Sequence, residues 1–393
     1  MGAFAQYYDT LPEGRRFLLY KSIQSEVKSS YNQSMTEIPY SYQVDADIRT
    51  LEKIEDERVE AILEVFKEYP DVYEQISLGN HQIEAKADVN VEVLAAGYGI
   101  TDRIMAYVGI PIYEANVQVK YNRAKNSSEQ VVADMLKEKY GDNWAQTLGN
   151  LVDQVYGIDE GTIQSGITNA LGYEELGDWR GEGLGDIEFG VMYNFYRQDT
   201  HGLKLTVGGI APTGYTDDPD ILQDVGFGDG QWDAFVEFGG GYILTDDIDV
   251  NAWARYTYQF EHEREMRVPY DEDIKESDEK KSFIEKKGNR QTFGIDAGIY
   301  ITDWFKFNPA FIYEHTDQST YRSDNKEIDN ILAAGTETYT QSVRLTAQLT
   351  TVRLFQQGKF IAPAQINLSA QNMIQGQNTP KVDMLELEFR MFF

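Results

Sequence analysis

The stretch DIDVNAWARYTYQF (247–260) decides the fold. Ile248, Val250, Ala252, Ala254, Tyr256, Tyr258 and Phe260 fall on one face. Asp249, Asn251, Trp253, Arg255, Thr257 and Gln259 fall on the other. Strict alternation is a strand signal, because successive side chains of a strand point to opposite faces. Strands in globular proteins are usually about 5–6 residues long, and this run is much longer. Strands of about 9–11 residues with one apolar and one polar face are what crossing a membrane as a closed barrel demands. A second run, NHQIEAKADVNVEVLAAG (80–97), repeats the pattern. Ile83, Ala85, Ala87, Val89, Val91, Val93 and Ala95 alternate with Glu84, Lys86, Asp88, Asn90 and Glu92.

Composition is compatible with this reading. The 393 residues include no Cys, and the formal net charge is −30. No run of apolar residues is long enough for a transmembrane helix. A barrel keeps a low mean hydropathy because only every second residue meets lipid. The absence of Cys fits an exported protein that needs no disulfides. The start, MGAFAQYYDT, carries Ala3-Phe4-Ala5 in the small-x-small form of a signal-peptidase site. It reads as the start of an exported, trimmed chain.

The expected fold class is all-β: an up-and-down antiparallel transmembrane barrel of about twelve strands. Alternating segments lie near 15–32, 83–97, 103–121, 184–197, 203–211, 232–242, 248–260, 291–300, 304–314, 342–352, 361–371 and 382–393. The third slips phase near Pro111, from Ile104, Ala106, Val108 and Ile110 to Ala115, Val117 and Val119, which a β-bulge would explain. Residues 1–14 form a short periplasmic segment, and 15–393 form a single barrel. Connections near 98–102, 198–202, 243–247, 301–303 and 353–360 are short; those at 33–82, 122–183, 212–231, 261–290, 315–341 and 372–381 are longer. Short and long alternate strictly, as periplasmic turns and extracellular loops do.

Three short turns share one motif: GYGITD (97–102), GYILTD (241–246) and GIYITD (298–303). Their unequal spacing excludes a solenoid. They read as tight hairpins at one rim, closed by Asx-type bonding. Two long loops carry helical patterns. DERVEAILEVFKEY (56–69) puts Val59, Ile62, Leu63 and Phe66 on one stripe. SSEQVVADMLKEKY (127–140) opens with Ser127 and Gln130 at capping-box spacing, and Trp144, Leu148, Leu151 and Val155 continue the apolar pattern. The charged run YDEDIKESDEKKSFIEKKGNR (270–290) reads as a solvated excursion.

The chain ends in MLELEFRMFF, where Leu385, Leu387, Phe389, Met391 and Phe393 alternate with Glu386, Glu388, Arg390 and Phe392. This resembles the C-terminal strand of Gram-negative outer-membrane proteins. The resemblance implies that Phe389, Met391 and Phe393 form a signal read by the barrel assembly machinery.

GLGDIEFGVMYNFY (183–196), GGIAPTGYTDDPD (208–220) and GFGDGQWDAFVEFGGGYILTDDIDV (226–250) resemble the barrels named for the meta-cleavage pathway of phenol degradation. The matching residues are Gly185-Asp186, Pro212-Thr213-Gly214 and Gly230-Gln231-Trp232-Asp233. That family is loosely related to the FadL-type barrels that pass hydrophobic compounds. The resemblance implies an outer-membrane barrel and suggests uptake of small hydrophobic molecules. FadL-type barrels hold an N-terminal hatch, and residues 1–14 are too few to form one.

The histidines His81, His201, His262 and His315 have no Ser or acidic partner at a catalytic spacing, and no Cys offers a nucleophile. The chain is not expected to be an enzyme, and no motif calls for a cofactor. Asp217, Asp218 and Asp220, with Asp224 and Asp229 nearby, offer oxygen ligands to a cation such as calcium. The EF-hand spacing is not met, and a solvated acidic loop is the stronger reading. A charge of −30 speaks against nucleic acid as a partner.

With apolar faces toward lipid, Glu84, Lys86, Asp88, Glu92, Asn251, Arg255, Arg344, Gln348, Glu386, Glu388 and Arg390 are expected to line the lumen. A barrel of this size is wider than the eight-strand case that side chains fill and narrower than a porin. Two functions follow. One is a passive outer-membrane channel for small, hydrophobic solutes. The other is a structural or partner-binding barrel with a closed, salt-bridged lumen. Expected partners are outer-membrane lipid, lipopolysaccharide, small solutes and a protein docked on the long loops.

Overall fold

The computed structural model describes residues 7–48, 63–123, 127–141, 143, 148–156, 160–270 and 276–393. Twelve strands close into one antiparallel barrel. They are β1 (Arg16–Val27), β2 (Ser77–Thr101), β3 (Ile104–Arg123), β4 (two pieces, Trp179–Leu184 and Ile187–Arg197), β5 (His201–Ala211) and β6 (Asp233–Thr245). The others are β7 (Ile248–Gln259), β8 (Arg290–Thr302), β9 (Phe305–Thr316), β10 (Thr338–Thr350), β11 (Ala364–Gln377) and β12 (Asp383–Phe392). Each strand pairs with the next, and β12 returns to β1 with Phe17 opposite Phe392. Closure leaves no barrel edge to be satisfied by lipid. Every segment expected from alternation is a strand, and both termini of the barrel lie at the short-turn rim.

The three repeated turns are built alike. The register shifts between Gly99 and Thr101, Ile243 and Thr245, and Tyr300 and Thr302. A two-residue turn follows each shift. The threonine closes it, not the aspartate: Thr101 Oγ1 accepts from Arg103 N, Thr245 Oγ1 from Asp247 N, and Thr302 Oγ1 from Phe305 N at 3.1 Å. Asp102 instead accepts the backbone N–H of Glu13 at 3.1 Å.

β2 and β3 run well past their neighbours and carry one additional strand, Ser41–Asp47, on the free edge of β2. Pairing between β2 and β3 is unbroken through Pro111, which faces Val93. The phase slip at Pro111 is therefore not a bulge. On either side of it, Val108 and Ile112 point outward and are exposed. Above it, Ala115 and Val117 point inward and are buried. The apolar set changes face because the surroundings change: lipid-facing positions are apolar within the membrane, and outward positions above it meet water. The slip coincides with the change of the outer face from apolar to polar.

Outside the barrel, Ile48, Leu63, Phe66, Val72, Ile76, Val132, Leu136, Leu148, Val152, Val155 and Tyr156 form a small core of their own. It joins the two loops in which helices are expected. Leu63 and Phe66 lie in it as the stripe requires, whereas Val59, Ile62 and Trp144 lie outside the described residues. The capping box does not form. Ser128 is the N-cap of Glu129–Tyr140 and makes no cap bond; its Oγ donates to Gln75 O at 2.6 Å and accepts from Ser77 N at 2.8 Å. Nor is 270–290 wholly an excursion: Lys280–Lys286 pairs with His262–Arg267 in a hairpin that continues to Thr320–Arg322.

Candidate functional site

The lumen is set by register. Leu18 and Tyr20 are exposed on the outer wall and face Ala96 and Leu94. Lys21, the residue after Tyr20, turns inward, 3.2 Å from Glu386 and 3.3 Å from Glu388. The next outward residue, Ser22, faces Glu92, and its hydroxyl donates to that carboxylate at 2.8 Å. Glu84, Lys86, Asp88 and Glu92 therefore face outward, not into the lumen. Lys86 pairs there with Glu26 at 2.6 Å and with Asp88 at 3.4 Å. The expectation fails because this half of β2 stands above the lipid, where the polar face is the outer one. Leu94, Tyr98 and Ile100 carried the opposite phase and were the available signal.

The other expected lumen residues do face inward. Asn251 Nδ2 donates to Asp296 at 2.8 Å. Arg255 pairs with Glu188 at 2.8 Å and lies 3.6 Å over the Phe235 ring. Arg344 donates to Gln371 at 2.9 Å, and Gln348 lies opposite Lys306 and Asn367 in register. Glu388, nearly buried, accepts from Arg390 at 3.0 Å and Asn367 at 3.1 Å. Alternation did not single out Glu188, Lys204, Glu237, Asp249 or Lys306. Lys306 and Asp249 pair at 2.9 Å with almost no exposure. Tyr107 donates to Glu188 at 2.7 Å.

Reversal of β2 gives the lumen a second character. Val89, Val91, Val93 and Ala95 of β2 point inward beside Leu19 and Ile23 of β1 and Ala115 and Val117 of β3. One wall is thus apolar, and the opposite wall is a ladder of ion pairs. Such pairs withstand burial because each charge has a partner.

Two elements narrow the path. At the short-turn rim, Tyr7 and Tyr8 enter the barrel. Tyr7 Oη donates to Glu237 at 2.6 Å, and Lys204 Nζ stands 3.7 Å over the Tyr7 ring. Asn194 Nδ2 donates to Tyr8 O at 2.6 Å, and Asp9 pairs with Arg197 at 3.1 Å. Leu11 packs with Met105, Val352 and Phe392. Gly239 and Gly202 make the fit possible: a Cβ on either would collide with the Tyr7 or Tyr8 ring.

At the long-loop rim, the connection 212–231 folds over the mouth, and Phe227 stacks on Tyr113 with centroids 5.3 Å apart. The three motif stretches converge here. Asp186, in the gap between the pieces of β4, accepts from Gly214 N at 2.8 Å and Asp229 N at 2.9 Å. Thr213 Oγ1 donates to Gly185 O at 2.8 Å and accepts from Ile187 N at 3.1 Å. These bonds hold the loop in place beside an open cavity of about 420 Å3 lined by Tyr113, Asp186, Glu188, Ile210, Phe227, Asp233 and Arg290, among others.

The acidic loop holds no metal geometry. Asp217 pairs with Arg264, and Asp220 with Arg267 and Lys280. Asp218 Oδ1 accepts from Asp220 N at 2.9 Å. The Lys280 hydrogen bond, with Arg267 beside it, holds the Asp220 carboxyl below its ordinary range. Among the described residues, no group of three His, Asp or Glu could hold a metal ion. Of the three carboxylates expected to offer ligands to calcium, Asp217 and Asp220 are paired with cationic side chains and Asp218 accepts a backbone N–H.

Phe389, Met391 and Phe393 lie exposed on the outer wall of β12 and at its end, beside exposed Leu385 and Leu387.

No protein-family model matches the sequence, and no curated protein sequence matches it. Among solved structures, an outer membrane channel from Pseudomonas putida F1 is similar with a TM-score of 0.55 at 12% identity, over 98% of each chain. The CymD monoaromatic hydrocarbon channel gives 0.36 at 9% identity, over 98% of this chain and 89% of that one. The Ralstonia pickettii toluene transporter TbuX gives 0.37 at 8% identity, over 97% and 90%. The two lower scores are too low to carry an inference. The first agrees with the barrel built above strand by strand: this chain has the fold of an outer-membrane channel.

Proposed function

We propose that the protein is a passive channel of the Gram-negative outer membrane for small solutes with apolar bodies, with its short turns in the periplasm and its long loops outside. The observation that carries this reading is the two-sided lumen. A mainly apolar wall on β1–β3, interrupted by Lys21 and Tyr107, faces a ladder of paired charges on the other strands. A barrel serving only as a strut has no need of an apolar inner wall, whereas solutes with apolar bodies do. In this reading β12 is the strand that the assembly machinery reads. The test is uptake into liposomes that contain the purified protein. Small aromatic solutes should enter faster than sugars of similar size, and planar bilayers should show small conductance steps. A silent bilayer together with no uptake would overturn the proposal.

The burial of Tyr7 and Tyr8 against Glu237 and Asn194 favours a second reading, a closed structural barrel. The same silence would support it.

A further inference from the structure

The cavity at the long-loop rim has an unusual charge balance. Of its carboxylates, Asp186 is taken by two backbone N–H groups, Glu188 by Arg255 and Tyr107, Asp217 by Arg264, and Asp229 by Lys287. Two lining charges are left over. Asp233 is only 6% exposed, and its one hydrogen bond is a long one, 3.3 Å from Gln231 Nε2. Among the described residues, no cation stands within 4.0 Å of it. Arg290 likewise has no carboxylate within 4.0 Å among the described residues. Asp233 and Arg290 line one open pocket without pairing, although Arg290 stands near enough to act on the Asp233 carboxyl through space. The stacked rings of Tyr113 and Phe227 complete the wall beside Ile210.

A nearly buried carboxylate without a cation is costly unless something else compensates it. Asp233 can be compensated by an ammonium group, and a guanidinium binds a carboxylate through paired hydrogen bonds. Aromatic faces accept an apolar or aromatic body. The volume lies in the range of small-molecule sites. We propose that this cavity binds a small zwitterion, with its ammonium at Asp233, its carboxylate at Arg290 and an apolar or aromatic body against Tyr113 and Phe227. The proposal rests on the channel reading for its place in the pathway, because the cavity lies over the mouth of the lumen. The binding itself does not depend on that reading.

The test is calorimetric titration of the folded protein in detergent with three probes: L-phenylalanine, phenethylamine and 3-phenylpropanoate. They share a body and differ in charge. L-Phenylalanine should bind about tenfold or more tightly than either single-charge probe, since each charge-assisted contact it adds is worth at least that factor. Asp233→Asn should reduce L-phenylalanine binding to the level of 3-phenylpropanoate. Arg290→Gln should reduce it to the level of phenethylamine. Retained heat-modifiable gel mobility identifies variants that still fold. Equal or absent binding of the three probes to wild type overturns the proposal, as does unchanged L-phenylalanine binding in both folded variants. Binding without liposome uptake leaves the site standing and removes the channel. Uptake without zwitterion preference keeps the channel and removes the site.

Discussion

The docking of Tyr7 can be tested by removing one oxygen atom. Its hydroxyl donates to Glu237 at 2.6 Å, while its ring lies under the Lys204 ammonium at 3.7 Å. Tyr7→Phe keeps the ring and the cation–π contact and loses only the hydrogen bond. A hydrogen bond to a charged group contributes about 2 kcal/mol. At about 1.4 kcal/mol per decade, the docked-to-undocked ratio of the segment should fall roughly 30-fold. Tyr7→Ala also removes the contact with Lys204, worth about 1–2 kcal/mol in a desolvated setting, and should lower the ratio roughly tenfold further. Single-channel recording in planar bilayers reads this ratio as open probability. Wild type should be mostly closed, Tyr7→Phe should open more often, and Tyr7→Ala more often still. Unit conductance should be the same in all three once the path is open. Identical open probabilities in three properly folded proteins would show that Tyr7 does not close the path.

Charge changes should act according to face. Glu84→Gln with Glu92→Gln alters the outer wall and should leave ion selectivity unchanged, whereas Glu188→Gln with Glu237→Gln should shift it toward anions; reversal potentials in a salt gradient check both. Phe389→Asp with Phe393→Asp puts charges on the exposed face of β12, where each is unfavourable, though less so than the about 2–4 kcal/mol of a basic side chain at the bilayer midplane; membrane fractionation should find little of this variant in the outer membrane. The folded barrel should migrate differently on gels before and after boiling, and equal mobility would contradict the closed strand ring. Burial holds the His262 imidazole below its ordinary value of 6.5, against the pull of Glu285 and with Arg264 and Lys287 adding to the depression. The stability it lends to the hairpin His262–Arg267 and Lys280–Lys286 is present above that ordinary value and is lost as the pH falls through the folded one. The protection factors of the amides in that hairpin should fall as the pH drops below 6.5, and His262→Gln should remove the change.

Strand positions were legible because each membrane-facing strand needs its alternation, and Ile248–Gln259 could hardly serve any other structure. What alternation does not state is which face is inside. For β7 and β12 the apolar face is the outer one, since lipid surrounds them over most of their length. For β2 the rule inverts above Leu94, because Glu84, Lys86, Asp88 and Glu92 meet water outside while Val89, Val91 and Val93 line the inner wall. Loop partners were not legible either. The Arg264–Asp217 and Arg267–Asp220 pairs join residues far apart in sequence, and neither spacing nor composition announces them.

The inversion on β2 bears on function as well as on prediction. A strand buried in lipid along its whole length would need an apolar outer face throughout, and its inner face would be free to be polar. In the upper parts of β2 and β3 the outer face is polar, as water contact allows, and lipid does not dictate the inner one there. An apolar inner face is then a net liability for solubility, costing about 25 cal/mol for each Å2 left in contact with water. Val89, Val91 and Ile23 are only partly covered by protein. Their partial exposure toward the mouth, beside the loop that carries Phe227, is what a surface kept for an apolar passenger would show. Replacing Val89 and Val91 by Ser should therefore slow uptake of small aromatics more than it lowers stability. A loss of stability with uptake per folded barrel unchanged would assign these residues to packing alone.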